Sequence, residues 1–463
     1  MTTGSARSVS LYRTIWRWHF YAGLFVMPMV VLLALTGSVY LFKPQIDRWE
    51  ERAFTGAPDR GSVSADAQVA AALAAFPGAQ LHAYRLPERE GDAVMVHVGL
   101  PGKQGMRDVF VSPQGKVVGA LDPEWRIAQV AHDVHGTLLL GRKGSWLVEL
   151  AASWAIVMIV SGLYLWWPRG AGLAGVVWPR LRGGGRVFWR DLHAVTGFWV
   201  AGLALVLLVT GLPWADAWGS AFKAVRAEMG WVKGRQAWTL GGQAPVMPAE
   251  HDHAAMMAAG GMAAGGMAMM DHAMPSTGGV SFAAVVAEAK SRHLAWPVMV
   301  SPPGAPQPFG APSRSDWTVR SDTQNRPQAV TLRFDPKTGA ETARETFADK
   351  HPIDRLVGYG VAWHEGALFG WVNQLIGLLT AMMLVTLAVS GFVMWRRRKP
   401  TETLGAPAAM PVRIGGVAVI VFGLAAFLPL LALSLVAVLV VERLVLRRVP
   451  GVARWLGLVA QSS

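Results

Sequence analysis

Four apolar runs, each with one histidine beside it and a Ser-Gly or Thr-Gly pair at its far end, constrain this chain more than any other feature. Residues 130–167 (VAHDVHGTLLLGRKGSWLVELAASWAIVMIVSGLYLWW) and 361–395 (VAWHEGALFGWVNQLIGLLTAMMLVTLAVSGFVMW) share one layout: a His, a Gly six positions later, and a Ser-Gly after a long apolar stretch. His135 stands to Ser161-Gly162 as His364 stands to Ser390-Gly391. WRWHFYAGLFVMPMVVLLALTG (16–37) and WRDLHAVTGFWVAGLALVLLVTG (189–211) form a second matched pair, with equal offsets from His19 to Thr36-Gly37 and from His193 to Thr210-Gly211. The chain therefore carries an internal duplication of apolar spans and histidines.

Runs of about 20 apolar residues are long enough to cross a bilayer as helices. With 52% hydrophobic and 16% charged residues, the chain is too apolar for a soluble protein of 463 residues. The net charge of +13 comes from basic residues beside the apolar runs, so it reads as membrane orientation and not as nucleic-acid binding. The absence of cysteine excludes thiolate metal sites, iron–sulfur clusters, covalent haem and disulfides. Any redox centre must be held by His, Met or carboxylate.

The expected architecture is an α-helical integral membrane protein. Its four-helix transmembrane core comes from the duplication, with two small α+β modules on the outer face and a C-terminal apolar helix or hairpin. Residues 1–43 hold the N-terminus and helix 1; Arg7, Arg13 and Arg17 ahead of the run put its start in the cytoplasm, and no cleavage site follows. Residues 44–129 form the first outer module, with a helix at 64–76 and strands at 93–99 and 108–119. Residues 130–213 hold helices 2 and 3 around a loop with Arg169, Arg180, Arg182, Arg186 and Arg190. Residues 214–360 repeat the module, with a helix at 282–292 and strands at 316–322 and 329–341. Residues 361–399 hold helix 4, ending in Arg396-Arg397-Arg398-Lys399, and 400–463 hold the last apolar segment. Length favours one helix over 414–441, while basic residues at both ends favour a hairpin.

This orientation places His19 and His193 at the cytoplasmic face and His135 and His364 at the outer face. A pair of neutral imidazoles from facing helices is the natural axial ligation of a b-type haem, so two pairs imply two haems, one at each face. His132 is an alternative to His135, three residues away on the same helix face. Gly23, Gly37, Gly162, Gly197, Gly211 and Gly391 would let a flat macrocycle or another helix come close. Arg17 and Arg190, next to the inner histidines, and Arg142 with Lys143, after His135, are candidates to pair with haem propionates. Glu149, the one acid well inside a span, is either a proton relay or a polar contact.

At W-R-x-H-F-Y-A-G-L (16–24), H-x-x-H-G-T-L-L (132–139), R-D-L-H-x-x-x-G (190–197) and H-E-G-x-x-F-G (364–370), the sequence resembles the PepSY-associated transmembrane-helix family. The outer modules, with D-P-x-T-G at 335–339, are similar to PepSY domains. The family includes bacterial inner-membrane reductases that carry two b-type haems and reduce ferric siderophores in the periplasm. The resemblance implies that His19, His193, His135 and His364 are the haem ligands and that the modules are periplasmic.

Residues 247–275 depart from the family's ferric pattern. Met247, Met256, Met257, Met262, Met267, Met269, Met270 and Met274 sit with His251, His253 and His272 in a Gly/Ala background without core periodicity. Thioether sulfur selects Cu(I) and imidazole takes either copper state, so this tract reads as a copper-collecting loop.

The expected function is a transmembrane metalloreductase. Electrons enter near His19 and His193, cross to the His135/His364 side, and reduce periplasmic Fe(III)-siderophore or Cu(II). No GxGxxG fingerprint follows a strand, which leaves quinol or a separate flavoprotein as donor. The alternatives are a non-enzymatic copper-handling membrane protein and a sensor or assembly factor without a redox centre.

Overall fold

The computed structural model describes residues 3–56, 61–102, 105–168, 173–180, 184–231, 279–306, 313–407 and 415–458. Its helices are α1 (Thr3–Leu41), α2 (Lys43–Glu50), α3 (Ala65–Ala75), α4 (Ile127–Thr137), α5 (Gly141–Trp166), α6 (Gly184–Gly211), α7 (Asp216–Glu228), α8 (Phe282–Ser291), α9 (Pro352–His364), α10 (Trp371–Arg398), α11 (Gly415–Phe427), α12 (Pro429–Leu444) and α13 (Pro450–Trp455). Its strands are β1 (Gln80–Arg85), β2 (Val94–Gly99), β3 (Met106–Val111), β4 (Val117–Leu121), β5 (Val298–Ser301), β6 (Trp317–Ser321), β7 (Val330–Phe334) and β8 (Glu341–Thr346). The chain forms two compact units. A helical unit takes Met1–Asp47, Ile127–Val232 and Tyr359–Ser463, and a sheet unit takes Arg48–Arg126 and Lys233–Gly358.

Among the described residues, five helices are long and apolar enough to cross a membrane: Leu11–Leu41, Gly141–Trp166, Gly184–Trp214, Trp371–Arg398 and Pro429–Arg448. The 26 residues of α5 at about 1.5 Å each give about 39 Å, more than the roughly 30 Å hydrocarbon core. Pro28 lies within α1 without ending it. The helix α1 packs against α5 and α10, and α6 packs against α10 and α5.

His135 and His364 lie on the short helices α4 and α9, each set off from the following span by a tight turn. The glycine six positions after each histidine has the same backbone role in both copies: Gly141 has φ 56° and Gly370 has φ 60°, the left-handed region that glycine enters without a Cβ penalty. Leu138 and Leu139 are also left-handed, at 52° and 58°.

The apolar stretch over 414–441 breaks into two helices at Leu428, which is extended (φ −119°, ψ 92°) ahead of Pro429. Proline disfavours the helical region for the residue before it and is itself well placed at a helix start. The segment folds back on itself. Leu404 N–H donates to Trp455 O at 2.9 Å, and Arg17 donates both to Pro407 O (2.7 Å) and to Leu456 O (3.1 Å). The bend is fixed by Trp218 Nε1, which donates to Phe427 O at 3.0 Å. The two ends of the segment therefore come together, as those of a hairpin do.

The sheet unit joins both modules into one eight-stranded antiparallel sheet, ordered β4-β3-β2-β1-β5-β6-β7-β8. The expected strands are present, and β1 and β5, which no alternation announced, form the seam through Tyr84↔Val300 and Arg85↔Met299. The helices α3 and α8 cover one face, burying Val69, Ala72, Phe282, Val285 and Ala289 against Val96, Val98, Val109, Val300, Val319 and Leu332. The module repeat extends to details. Ser64 caps α3 through Ala67 N–H, and Ser281 caps α8 through Ala284 N–H, both at 3.2 Å. The turn glycines Gly115 and Gly339 are both left-handed and lie against the valine preceding each cap, Val63 and Val280.

Candidate histidine site

Each of the four histidines lies against the glycine of a Ser-Gly or Thr-Gly pair on a different helix. An ideal Cβ would come within 3.2 Å of His19 Cε1 at Gly162, 3.2 Å of His135 Cε1 at Gly37, 3.4 Å of His193 Cε1 at Gly391 and 3.3 Å of His364 Cε1 at Gly211. The exchange is reciprocal within each copy: α1 gives His19 and Gly37, and the α4–α5 segment gives Gly162 and His135. The α6 helix and the α9–α10 segment repeat it with His193 and Gly211 against Gly391 and His364. The other two glycines singled out from sequence serve helix packing, Gly23 against Met158 and Gly197 against Leu387.

The hydroxyl before each glycine fixes the imidazole tautomer. Ser161 Oγ lies 2.9 Å from His19 Nδ1, Thr36 Oγ 3.2 Å from His135 Nδ1, Ser390 Oγ 3.1 Å from His193 Nδ1 and Thr210 Oγ 3.2 Å from His364 Nδ1. Each hydroxyl donates its own proton to the carbonyl four residues back, at Val157, Leu32, Thr386 and Val206. It can therefore only accept from Nδ1. Carbonyl oxygens confirm the direction: Leu33 O accepts from His135 Nδ1 and Leu387 O from His193 Nδ1, each at 3.1 Å. With Nδ1 protonated, Nε2 of each ring keeps its lone pair, the form that ligates a metal.

The rings meet across the two copies. His135 and His364 have ring centroids 6.3 Å apart, with planes at 78°. Two metal–imidazole bonds of about 2 Å and two half-rings of about 1 Å sum to about 6 Å, the separation needed for one metal between two imidazoles. Burial, together with the facing histidine, pushes His135 down to about 4, and burial pushes His364 to about 4, so this pair is neutral at physiological pH. Imidazoles with Nδ1 protonated and Nε2 free, each seated on a glycine, are a donor set that would fit a haem.

His132 stands outside this arrangement. Its Nδ1 meets Asp133 Oδ1 at 3.0 Å and its ring lies 5.4 Å from Tyr40, while His135 takes the place against Gly37. Arg17 is buried and spends its donors on backbone carbonyls of the C-terminal segment. Arg190 turns to its neighbour: with Arg180 it clamps the buried Asp191 carboxylate, at 2.6 Å and 2.7 Å. Arg142 pairs with Asp216 at 2.9 Å. Glu149, 2% exposed, accepts from the backbone N–H groups of Ala217 (2.9 Å) and Trp218 (3.1 Å), which makes it the cap of α7.

The tract 247–275, with Met247, His251, His253, Met256, Met257, Met262, Met267, Met269, Met270, His272 and Met274, lies outside the described residues, as do Arg169 and Arg182.

The profile of the PepSY-associated TM region matches residues 16–398. The chain belongs to the PepSY-associated TM region family. No curated protein matches it. Membership and the apolar helices make this PepSY-associated protein a multi-pass membrane protein. The family motifs at 16–24, 132–139, 190–197 and 364–370 supply the four histidines of the geometry above. What sequence reasoning missed is the role of the Ser and Thr hydroxyls as Nδ1 acceptors. The available signal was that each hydroxyl immediately precedes its glycine at the same offset in both copies.

Proposed function

We propose that this PepSY-associated protein is a di-haem b transmembrane metalloreductase of the bacterial inner membrane, delivering electrons to Fe(III)-siderophore or Cu(II) on the periplasmic side. The single observation that carries the reading is the fourfold repeat of a half-buried imidazole with Nδ1 donating to a Ser or Thr hydroxyl and Cε1 on the adjacent glycine. A helix-packing histidine needs no such tautomer control, while an axial ligand does. His135 and His364 would hold one haem b, and His19 and His193 the other. The haems would supply one-electron carriers within the apolar core. The chain's own residues orient four imidazoles and hold their protons on Nδ1.

The duplicated four-helix core, with two PepSY-like modules on the periplasmic side, is part of this reading. The basic stretches around Arg17, 168–190 and 396–399 support a cytoplasmic N-terminus. Arg17 and Arg190 then stand at the cytoplasmic haem, positioned by the C-terminal hairpin and by Asp191 respectively. Quinol or a separate flavoprotein is the donor class. The Met/His composition of 247–275 favours copper as substrate or cargo and supports a second reading, a non-enzymatic copper-handling membrane protein.

A reduced-minus-oxidised visible spectrum with haem quantified per chain tests the proposal. Two b-type haems per chain, falling toward one in His19→Ala or His364→Ala, are expected. A folded protein from haem-replete cells with a flat spectrum refutes it and leaves the copper-handling reading.

A further inference from the structure

A second group of metal-ligating side chains lies on the sheet unit. We infer that His82, His97 and Met106 form a binding site for one Cu(I) ion, with Asp108 as the positioning residue. His97 on β2 and Asp108 on β3 are directly opposed in register, and His97 Nδ1 lies 2.6 Å from Asp108 Oδ1. The Asp108 side chain is 6% exposed and lies 3.9 Å from Arg126 Nη1. A carboxyl oxygen at that distance accepts from Nδ1–H, which leaves the Nε2 lone pair of His97 available.

His82 is on β1. The register of β1 against β2 slips between Leu81 and Ala83, and the bulge re-aims the residue within it. His82 Nε2 consequently lies 2.6 Å from the point where a Cβ on Gly99 would stand. Its ring centroid is 5.9 Å from that of His97, with planes at 88°. That separation is near the about 6 Å that two imidazoles on one ion require. His82 has no hydrogen-bond partner among the described residues, and both rings are partly exposed.

Met106 completes the set. It is the cross-strand partner of Gly99, and strand alternation puts it on the face that carries His97 and Asp108. With no side chain at Gly99, the His82 ring lies where one would otherwise stand. Two imidazoles and a thioether, with the nearby carboxylate committed to His97, form a soft donor set without a carboxylate. Such a set suits Cu(I) and does not suit hard divalent cations. The site requires no haem, so it stands or falls separately from the reductase reading.

The test is a Cu(I) titration of the full-length protein in detergent under anaerobic reductant, in competition with a chromophoric Cu(I) chelator. Wild type is compared with His82→Asn, His97→Asn, Met106→Leu and Asp108→Asn. All keep residues 247–275, so copper held there cancels in the comparison. One tightly held equivalent is expected to disappear in each His variant. Asp108→Asn is expected to weaken that equivalent about 10- to 100-fold, the usual effect of losing a partner behind a ligating histidine. Met106→Leu should remove a sulfur contribution from the copper X-ray absorption spectrum. His82 is partly exposed in a bulge, so its variant is expected to unfold at the wild-type temperature, which keeps the test open if His97→Asn misfolds. Unchanged stoichiometry and affinity in folded His82→Asn overturns the site, and tighter binding of Zn(II) than of Cu(I) by the same residues overturns the metal assignment.

Discussion

Gly37→Ala is a small change with a defined consequence if the His–Gly contact positions a metal ligand. The new methyl would stand 3.2 Å from His135 Cε1 and 3.4 Å from Nδ1, where ordinary contact begins at 3.4 Å. The ring must give by a few tenths of an ångström. It cannot turn away freely, because Nδ1 is tied to Leu33 O at 3.1 Å and to Thr36 Oγ at 3.2 Å. Any shift changes how the ring faces His364, whose centroid is 6.3 Å away. Disturbing the support of a ligating histidine costs about 10- to 100-fold in metal affinity, or about 1.4–2.7 kcal/mol. Haem per chain and the two midpoint potentials are the readouts. Gly136→Ala is the control, since it adjoins His135 in sequence and a Cβ there meets nothing within 4 Å. Gly37→Leu and Gly211→Leu should deplete one haem, and Gly162→Leu and Gly391→Leu the other. Full haem content with unaltered potentials in Gly37→Ala, matching Gly136→Ala, would refute the reasoning, as would depletion that ignores this pairing.

Glu149→Ala removes the cap of α7 and is expected to lower stability by about 1–2 kcal/mol in thermal unfolding with no change in the haem spectrum; a proton relay would instead show a slowed rate at unchanged stability. Asp191→Asn leaves Arg180 and Arg190 without their shared carboxylate. Because both guanidiniums are about half exposed, the expected loss is about 1–3 kcal/mol in detergent melts, and a larger loss would mean that the clamp does more than hold Arg180 against α6. Leu86→Pro deletes the N–H that donates to Val298 O at 2.9 Å beside the β1–β5 seam. Orphaning that carbonyl should cost about 1–3 kcal/mol and bring forward the melting of the sheet unit, while two modules folding independently of the seam would be unaffected.

Much of the site was legible because it is written in covalent spacing. The duplicated offsets from His19 to Gly37 and from His193 to Gly211 reflect helices of fixed rise, so equal spacing puts equivalent groups at equal depth. The glycine six residues after His135 and His364 was visible as a repeat, and its cause, a left-handed turn residue at Gly141 and Gly370, is a backbone property of glycine itself. The same holds for the module turns ending in Gly115 and Gly339.

What spacing did not carry is which elements meet. That His135 lies on Gly37, and not on the glycine of its own span, depends on how α4 returns beside α1. The choice of His135 over His132 follows from the same packing, since three residues on one helix share a face until a neighbour selects one. The fusion of two modules through β1 and β5 was hidden for a related reason: an internal seam pairs backbone groups, which every residue carries, and leaves little trace in side-chain pattern. The hairpin at Leu428 was undecided from charge and length and was settled by contacts between Leu404 and Trp455, 51 residues apart in sequence and hydrogen-bonded in space. The sequence by itself determined the helices, their apolar character and the identity of the four histidines, because those follow from local composition and period. The tertiary structure alone decided the pairing of imidazole with glycine and hydroxyl, because a hydrogen bond between distant residues exists only once the chain has brought them together.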